Sequence, residues 1–483
     1  MPKKNIAVAR EEFTNKVFQT LRFFDSAERK RLVKYLHSPY FNQSKTLIKL
    51  GETLLDLIEK GRSGFDRQAV WQKLFPGESY DDVNFRKYCS DLLKQVEGFM
   101  AQEAIAMDES RKPLDVLDFV VRRKIEPLFN SALKQARGEG EKPSYCSLDY
   151  YKKAYSIERF YYSMMDYDVK LDVRSNVEEI SHNLDLFYWI EKIKLFSAVI
   201  SQKKTRNYTY ELEFVEEIVA YLHEFPVEDV PELAVKYYAF MTLKEEDNVN
   251  HYYNLRRMLD KYGADMPQEE AIELFETGLH YCTGKINMGD SLFLQEYFNL
   301  FEDGIRKGIF LLKGELAPWR FNNIIAAALR LGKLNWAEEF IESYKDYLPT
   351  DTRQNTYTFN LARVYRYQGK FDKVLSLISN VEYEDIGYNL ISKAMLIITY
   401  YELDSFDALD SFTESFRVFL NRHKNIPQQR RRSYLNLLKY TRRLTRMVPG
   451  DKAAIEKFRE DITIEKAITV NHEWLLEKLA ELE

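Results

Sequence analysis

Apolar residues recur at helical spacing from near the start of the chain. One helix face is formed by residues at intervals of four, four and three positions: Phe13, Val17, Leu21 and Phe24. The same periodicity continues along most of the sequence, and no alternating run of strand length is bounded by hairpin turns. Gly (18) and Pro (13) are scarce for 483 residues, which also disfavours an all-β sandwich or barrel. The pattern therefore predicts an all-α fold.

Capping and breaking residues set the predicted helix boundaries. Asp25 and Ser26 supply N-caps for a second helix that runs to about His37. Pro39 then ends it, because proline disfavours the helical conformation in the residue that precedes it. Further helices are predicted over 43–60, 66–75, 82–107 and 112–136, with a closing amphipathic helix over His472–Leu482.

The strongest linker signal lies at 137–144, where Gly138, Gly140 and Pro143 are interspersed with charged residues. Small and charged residues bury little surface, so this segment marks the main domain boundary. The predicted organisation is an N-terminal helical domain, a helical repeat array and C-terminal capping helices, over 1–140, 145–449 and 450–483.

One turn sequence recurs in the C-terminal half. Leu-Gly-Lys-Leu-Asn-Trp-Ala at 331–337 returns as Gln-Gly-Lys-Phe-Asp-Lys-Val at 368–374, and a fainter copy lies at 403–409. The two glycines are 37 residues apart, and Asp404 stands 35 residues beyond the second. These intervals are close to the period of about 34 residues that is typical of tetratricopeptide repeats.

The surrounding residues resemble the tetratricopeptide family over 319–420, and more distantly over 145–318. Residues that match family positions are Leu361, Ala362, Tyr365, Ala337, Ile341 and Pro349. Larger residues replace the family's small ones at Ile325, Ile397, Val374 and Leu409. The resemblance implies an α-solenoid of helical hairpins with a groove that binds other proteins. Ser38–Asn42 ahead of degenerate repeats also resembles a bacterial family, and that resemblance implies no function.

Charge and cysteine content limit the partners and the compartment. The net charge of −5 creates no overall field that would draw the chain to nucleic acid or membrane. Its three cysteines, Cys89, Cys146 and Cys282, are far apart and odd in number, which suits a reducing compartment. No run has the length of a signal peptide or a membrane span, since the longest apolar stretch lies near Ala394–Tyr401. We expect a cytoplasmic protein.

Recognisable catalytic and metal-binding motifs are absent from the sequence. No two of the seven histidines are three or four residues apart, and His280 and Cys282 fall on different helix faces. Cys-x-x-Cys, Gly-x-Ser-x-Gly, His-Glu-x-x-His and phosphate-binding glycine loops are also missing. We therefore expect a non-enzymatic protein without cofactor or metal, although a site built from distant residues stays open.

Positive charge is concentrated near the C-terminus, since Arg417–Gly450 contains no Asp or Glu. At about 100° per residue, a helix near 430–448 places its cations opposite an apolar face. The candidate surface for an anionic partner consists of Arg432, Lys439, Arg442, Arg443 and Arg446. The alternatives are a solvated face and internal pairing with acidic neighbours.

An acidic counterpart lies at 207–235, which contains no Lys or Arg. The two charged runs could meet within one molecule or between two copies. In the second case a closed two-fold homodimer is the safer arrangement, because head-to-tail contacts risk open filaments. Two independent solvated faces are the remaining interpretation.

The segment 66–99 supports a rival function. A short helix, a break at Phe75–Gly77 and a longer helix loosely resemble the helical part of the winged-helix domain in bacterial transcriptional activators that also carry tetratricopeptide repeats. The net charge of this segment is −1, whereas DNA-binding domains usually have a basic surface. The leading hypothesis is therefore a protein–protein interaction scaffold with an unknown protein partner. The alternative is a nucleic-acid-associated regulator that uses 417–446 or 66–99.

Overall fold

A computed structural model describes seven ranges of the chain: 13–108, 111–138, 145–165, 174–205, 208, 210–379 and 385–483. Over these residues the regular structure is 23 α-helices, three single-turn 3₁₀ helices and one pair of two-residue strands, which confirms the predicted all-α fold. Two compact units are formed by Met1–Glu141 with Lys152–Leu184 (unit 1) and by Lys142–Tyr151 with Asp185–Glu483 (unit 2). Within the described ranges, no helix combines the length and the apolar composition that crossing a membrane requires.

Unit 1 contains seven complete helices, and two further helices are shared between the units. They are α1 Lys16–Arg22, α2 Ser26–His37, α3 Lys45–Glu59, α4 Arg67–Leu74, α5 Asp82–Met107, α6 Arg111–Arg122 and α7 Glu126–Arg137, followed by α8 Leu148–Met165 and α9 Val177–Thr205. The side chain of Asn15 caps α1, so Phe13 precedes that helix and forms an isolated β-bridge with Phe65. The predicted N-cap Asp25 forms a capping box with Glu28.

The prediction of one helix over 112–136 is wrong, because α6 and α7 occupy this range as separate helices. Lys124 between them has a left-handed φ of 52° and reverses the chain. Pro127 in the first turn of α7 has no N–H to donate, so a continuous helix would lose a hydrogen bond there. Val120 of α6 and Leu133 of α7 instead pack into a shared core.

Unit 2 continues with fourteen helices. They are α10 Val215–Glu224, α11 Pro231–Lys244, α12 Val249–Tyr262, α13 Gln268–Asn287, α14 Leu292–Arg306, α15 Pro318–Arg330, α16 Leu334–Tyr344, α17 Arg353–Tyr367, α18 Phe371–Ile378, α19 Ile386–Glu402, α20 Phe406–Arg422, α21 Gln428–Leu444, α22 Lys452–Ile464 and α23 His472–Ala480. From α11 to α21 each helix packs against the next one, and α15, α17, α19 and α21 also contact one another in that order.

A short hairpin between α14 and α15 was not predicted. Strands β1 (Leu311–Leu312) and β2 (Glu315–Leu316) pair antiparallel around Lys313 and Gly314. Both turn residues have positive φ, 53° and 81°, as a tight two-residue hairpin requires. Strands of two residues are too short to give an alternating pattern, so periodicity could not find them.

The recurrent turn has the same backbone geometry in all three copies. Gly332, Gly369 and Asp404 adopt left-handed φ values of 70°, 69° and 51°. In each copy the next N–H donates to a carbonyl five residues earlier, which closes the preceding helix as a Schellman motif. These bonds run from Lys333 to Ala328, from Lys370 to Tyr365 and from Ser405 to Tyr400, each at 2.9 Å.

Equivalent positions around the three turns are all buried. Ahead of the turns lie Ile325, Ala362 and Ile397, each fully buried. Behind them lie Ala337, Val374 and Leu409, also buried. The larger residues that depart from the tetratricopeptide pattern therefore occupy the same seam as the small ones.

Of the predicted linker 137–144, residues 139–144 lie outside the described residues.

Replacing Ala337 by leucine tests the seam between α15 and α16. Because Ala337 is completely buried, the added side-chain volume should overpack the interface and destabilise the fold by about 1–3 kcal/mol. Thermal unfolding of the full chain measures the effect. The matched control is Ala453→Leu on the exposed side of α22, which should leave the melt unchanged. Equal melting temperatures for Ala337→Leu and wild type would show that the position is not a close helix contact.

Candidate functional site

The predicted basic surface lies on α21 and, at Arg446, just beyond its end, and it meets acidic side chains of the same unit. Lys439 Nζ is 3.3 Å from a carboxylate oxygen of Glu465, and Arg443 Nη1 is 2.5 Å from one of Asp461. The hydrogen bond from Arg443 lowers the pKa of Asp461. The hydroxyl of Tyr440 and then Lys439 lower the pKa of Glu465. Both carboxylates are thus held in their charged form by this helix.

The other three cations of the predicted surface differ in their pairing. Arg432 lies 3.7 Å from Glu465, and Arg442 lies 3.7 Å from each of two carboxylates on α20. Arg446 is exposed, and the described residues supply it with no ion pair. Four of the five predicted cations therefore have carboxylate neighbours inside unit 2. The surface is much less positive than its sequence suggests.

Four of the predicted residues nevertheless line one open pocket beside α22. Its lining includes Lys439, Arg442, Arg443 and Arg446, together with the exposed Val448. Arg432 does not belong to it. Binding of an anionic partner here stays a prediction, and it would require Arg443 and Lys439 to exchange their internal carboxylates for those of the partner.

The acidic run 207–235 is paired elsewhere in unit 2. Glu216 lies 2.6 Å from Lys244 of α11, and Glu228 binds Arg257 of α12. The bond from Arg257 lowers the pKa of Glu228. In the part of the chain that the structure describes, no ion pair joins this run to the basic one.

In unit 1, α4 and α5 have the predicted order of a short helix, a break and a longer helix. Arg67 and Arg86 both bind Asp82, at 3.0 and 2.7 Å, and Lys94 binds Asp91 at 3.1 Å. Most of the few cations in 66–99 are therefore engaged by carboxylates of the same segment. This arrangement leaves little charge for phosphate contacts.

A polar cluster that sequence reasoning missed joins α15, α17 and α19. Asn360 is fully buried, and its Nδ2 donates to Oδ1 of Asn322 at 2.5 Å and to the carbonyl of Thr356 at 2.8 Å. The amide of Asn322 donates in turn to the hydroxyl of Tyr388. Arg363 Nη1 donates to the carbonyl of Asn322 and to Oδ1 of Asn360, both at 3.2 Å. We name Asn322, Asn360, Arg363 and Tyr388 the Arg363 cluster.

All hydrogen-bond partners of Arg363 are neutral, as are those of the half-buried Arg431, whose Nη2 donates to the carbonyls of His423 and Ile426. Burial lowers its pKa to about 10, so the guanidinium is still charged at neutral pH. The described residues offer Arg363 no ion pair with Asp or Glu, and its guanidinium carbon lies 5.6 Å from the centre of the Phe359 ring. Four other enclosed cations of unit 2 have carboxylate partners: Lys236 with Glu270, Arg256 with Asp303, Arg320 with Glu276 and Lys478 with Glu402.

Arg366, one turn further along α17, is a second half-buried cation. Burial lowers its pKa, and the charges of Glu402 and Glu477 act in the opposite direction. Glu402 is already bound by Trp474 Nε1 at 2.6 Å and by Lys478 Nζ at 3.0 Å. Within the described ranges Arg366 has no ion pair of its own.

The Arg363 cluster escaped sequence reasoning because its members come from three helices. Asn322 and Asn360 are 38 residues apart, and nothing in their spacing indicates contact. One signal was present: Asn360 and Arg363 stand at i and i+3 on α17, within a stretch that also carries the buried Phe359 and Ala362. Polar residues among such neighbours indicate a polar interface between helices.

A buried carboxyl pair lies between α11 and α13. Glu232 is 1% exposed, and its burial together with the nearby charge of Glu270 raises its pKa well above the ordinary value. Lys236 Nζ lies 2.9 Å from Glu270, and the hydroxyl of Tyr145 donates to the same carboxylate at 2.9 Å. Glu270 therefore forms the ion pair with Lys236, and Glu232 holds a proton at neutral pH.

Neither a metal site nor a relative identifies the function. In the described ranges, no three His, Cys, Asp or Glu side chains form a group that could hold a metal ion. His280 is exposed and Cys282 is fully buried, so the two do not share a surface. Among known proteins, no family model, no curated protein and no solved structure matches the chain.

Reversing two charges tests whether the ion pairs of the basic surface stabilise the fold. Lys439→Glu with Arg443→Glu would bring four carboxylates together beside α22, so we expect a lower melting temperature. The matched control is Arg446→Glu, which breaks no ion pair and should leave the melt nearly unchanged. Restoring opposite charge with Glu465→Lys and Asp461→Arg should recover stability. A double variant as stable as wild type would mean that these pairs contribute nothing.

Replacing Glu232 by glutamine tests the buried carboxyl. Because the pKa of Glu232 is higher in the folded protein than in the unfolded chain, the folded protein keeps a proton that the unfolded chain releases. The wild-type protein therefore loses stability as the pH rises above the pKa of Glu232 in the unfolded chain. We expect Glu232→Gln and wild type to have the same melting temperature at about pH 5. At higher pH the melting temperature of Glu232→Gln should exceed that of wild type, by a margin that grows up to about pH 8. Melting temperatures across this range measure the difference.

The control for this experiment is Glu270→Gln, which removes the carboxylate partner of Lys236 and should lower stability across the range. A difference between Glu232→Gln and wild type that does not change with pH would contradict the protonated state of Glu232.

Proposed function

We propose that the chain is a non-enzymatic protein–protein interaction scaffold, built on a tetratricopeptide-like solenoid of helical hairpins. The recurrent turn at Gly332, Gly369 and Asp404 carries this proposal, because one reversal geometry returns at a nearly regular interval, as expected of a helical repeat. The hairpins it defines are α15 with α16, α17 with α18, and α19 with α20.

Packing between the first helices of these hairpins supports a binding role. α15 contacts α17, and α17 contacts α19, so the first helices of the three hairpins pack in series. In a solenoid, helices packed in this way form one continuous surface. The Arg363 cluster draws on all three helices, with Asn322 from the first, Asn360 and Arg363 from the second and Tyr388 from the third. Extended surfaces of this kind are what repeat proteins use to hold other chains.

The nucleic-acid alternative has no comparable support. Arg67 and Arg86 in unit 1 and Arg443 in unit 2 are each bound to a carboxylate of the chain. A cytoplasmic location is part of the proposal and rests on the three widely separated cysteines.

Partner capture tests the scaffold. The full chain is immobilised and incubated with lysate from its source, and proteins that an excess of soluble chain displaces are identified by mass spectrometry. We expect at least one such protein, and expect it to form a complex of fixed stoichiometry with the chain when both are purified. Titration calorimetry measures that stoichiometry, and an unrelated protein of similar charge serves as the control. If no captured protein is displaced, or none binds after purification, the scaffold proposal fails.

A further inference from the structure

We propose that the Arg363 cluster is a binding site for a carboxylate on an acidic segment of a partner protein. This inference rests on the proposed scaffold function and names the chemistry of its partner. Arg363 supplies the charge, while Asn322 and Asn360 fix the orientation of its guanidinium.

The unbalanced charge of the cluster is the first argument. Enclosed cations in proteins are generally paired with an anion, because desolvation without compensation is costly. Unit 2 follows this rule at Lys236, Arg256 and Arg320. At Arg363, in the described part of the chain, only amide and carbonyl oxygens accept hydrogen bonds. An anion from outside the chain would complete the site.

The geometry of the guanidinium is the second argument. Its hydrogen bonds to Asn322 and Asn360 use Nη1 alone. Nε and Nη2 form the opposite edge of the guanidinium. Among the described residues neither atom has a hydrogen-bond partner, and neither is completely buried, so both can reach solvent. These two parallel N–H groups match the two oxygens of a carboxylate, which is the bidentate arrangement that arginine favours.

Charge and surroundings favour a carboxylate over a phosphate. One guanidinium edge balances one negative charge, and Phe359 backs the site with an apolar ring rather than with a further cation. A doubly charged phosphate would need more positive charge than this half-buried edge provides.

Peptide binding to the full chain tests the site. The probes are fluorescein-labelled peptides of about six residues with amidated C-termini, composed of glutamate, glutamine or phosphoserine flanked by glycine. A glutamine peptide with a free C-terminus separates a terminal carboxylate from side-chain carboxylates. Fluorescence anisotropy at low salt measures affinity. We expect the glutamate peptide to bind at least about tenfold more tightly than either the amidated glutamine or the phosphoserine peptide.

Three variants assign the binding to Arg363. Arg363→Gln should weaken glutamate-peptide binding by about tenfold or more, and Arg363→Lys by less, because lysine keeps the charge and loses the planar fork. Arg330→Gln, an exposed residue near the end of α15, removes the same charge and should change affinity by less than about twofold. The thermal melt of Arg363→Gln should not fall far below that of wild type, since no ion pair is lost.

Several results would overturn the proposal. Equal losses for Arg363→Gln and Arg330→Gln would show general charge attraction without a site. Tighter binding of the phosphoserine peptide, equal binding of glutamine and glutamate peptides, or no binding by the wild-type chain would each exclude a side-chain carboxylate site. If a captured partner binds Arg363→Gln as tightly as wild type, the scaffold function stands and this inference alone fails.

Discussion

The reversal between paired helices is the constraint on which much of unit 2 depends. Two helices can pack antiparallel only if the chain turns back within a few residues and still satisfies the last carbonyls of the first helix. A residue in the left-handed conformation reverses the chain and lets the following N–H groups reach those carbonyls. Glycine adopts this conformation without strain at Gly332 and Gly369. Asp404 reaches a similar φ as one of the few residue types that tolerate it. Residues on either side, such as Ile325 and Ala337, then fall into one buried seam.

Charge placement is the second constraint. Because helices packed on several sides leave little solvent around polar groups, several enclosed charges in unit 2 are neutralised by a neighbouring opposite charge, as at Lys236 and Glu270. Glu232 solves the same problem by keeping its proton. The basic surface of α21 also follows this rule, since Arg443 and Lys439 stabilise carboxylates that pack beside them. Arg363 is different because its fixed partners are neutral oxygens.

The sequence was sufficient to predict those features that depend on local periodicity or on residues with a single conformational role, such as helix caps and tight turns. Asp25 was identified as a cap, and the glycine turn was identified by its recurrence. The break at Lys124 was missed, because a left-handed lysine carries no sequence signal and only Pro127 hinted at it. The five basic residues of the predicted surface were identified, but the carboxylates that pair with four of them come from other parts of unit 2. Asn322 and Arg363 could not be joined for the same reason: contacts between helices are set by packing.

The order already present around Arg363 supports the proposed role of this residue in binding an anion. An apolar side chain at this position would pack against Phe359 without desolvating a charge, so the fold itself gains little from arginine. The guanidinium is held by Asn360, which is fixed by Thr356, and by Asn322, which is fixed by Tyr388. A ligand that meets such a side chain does not have to order it, and the loss of side-chain entropy on binding is small. Fixed orientation, open donors and uncompensated charge together favour recognition of an anion over any role in the core.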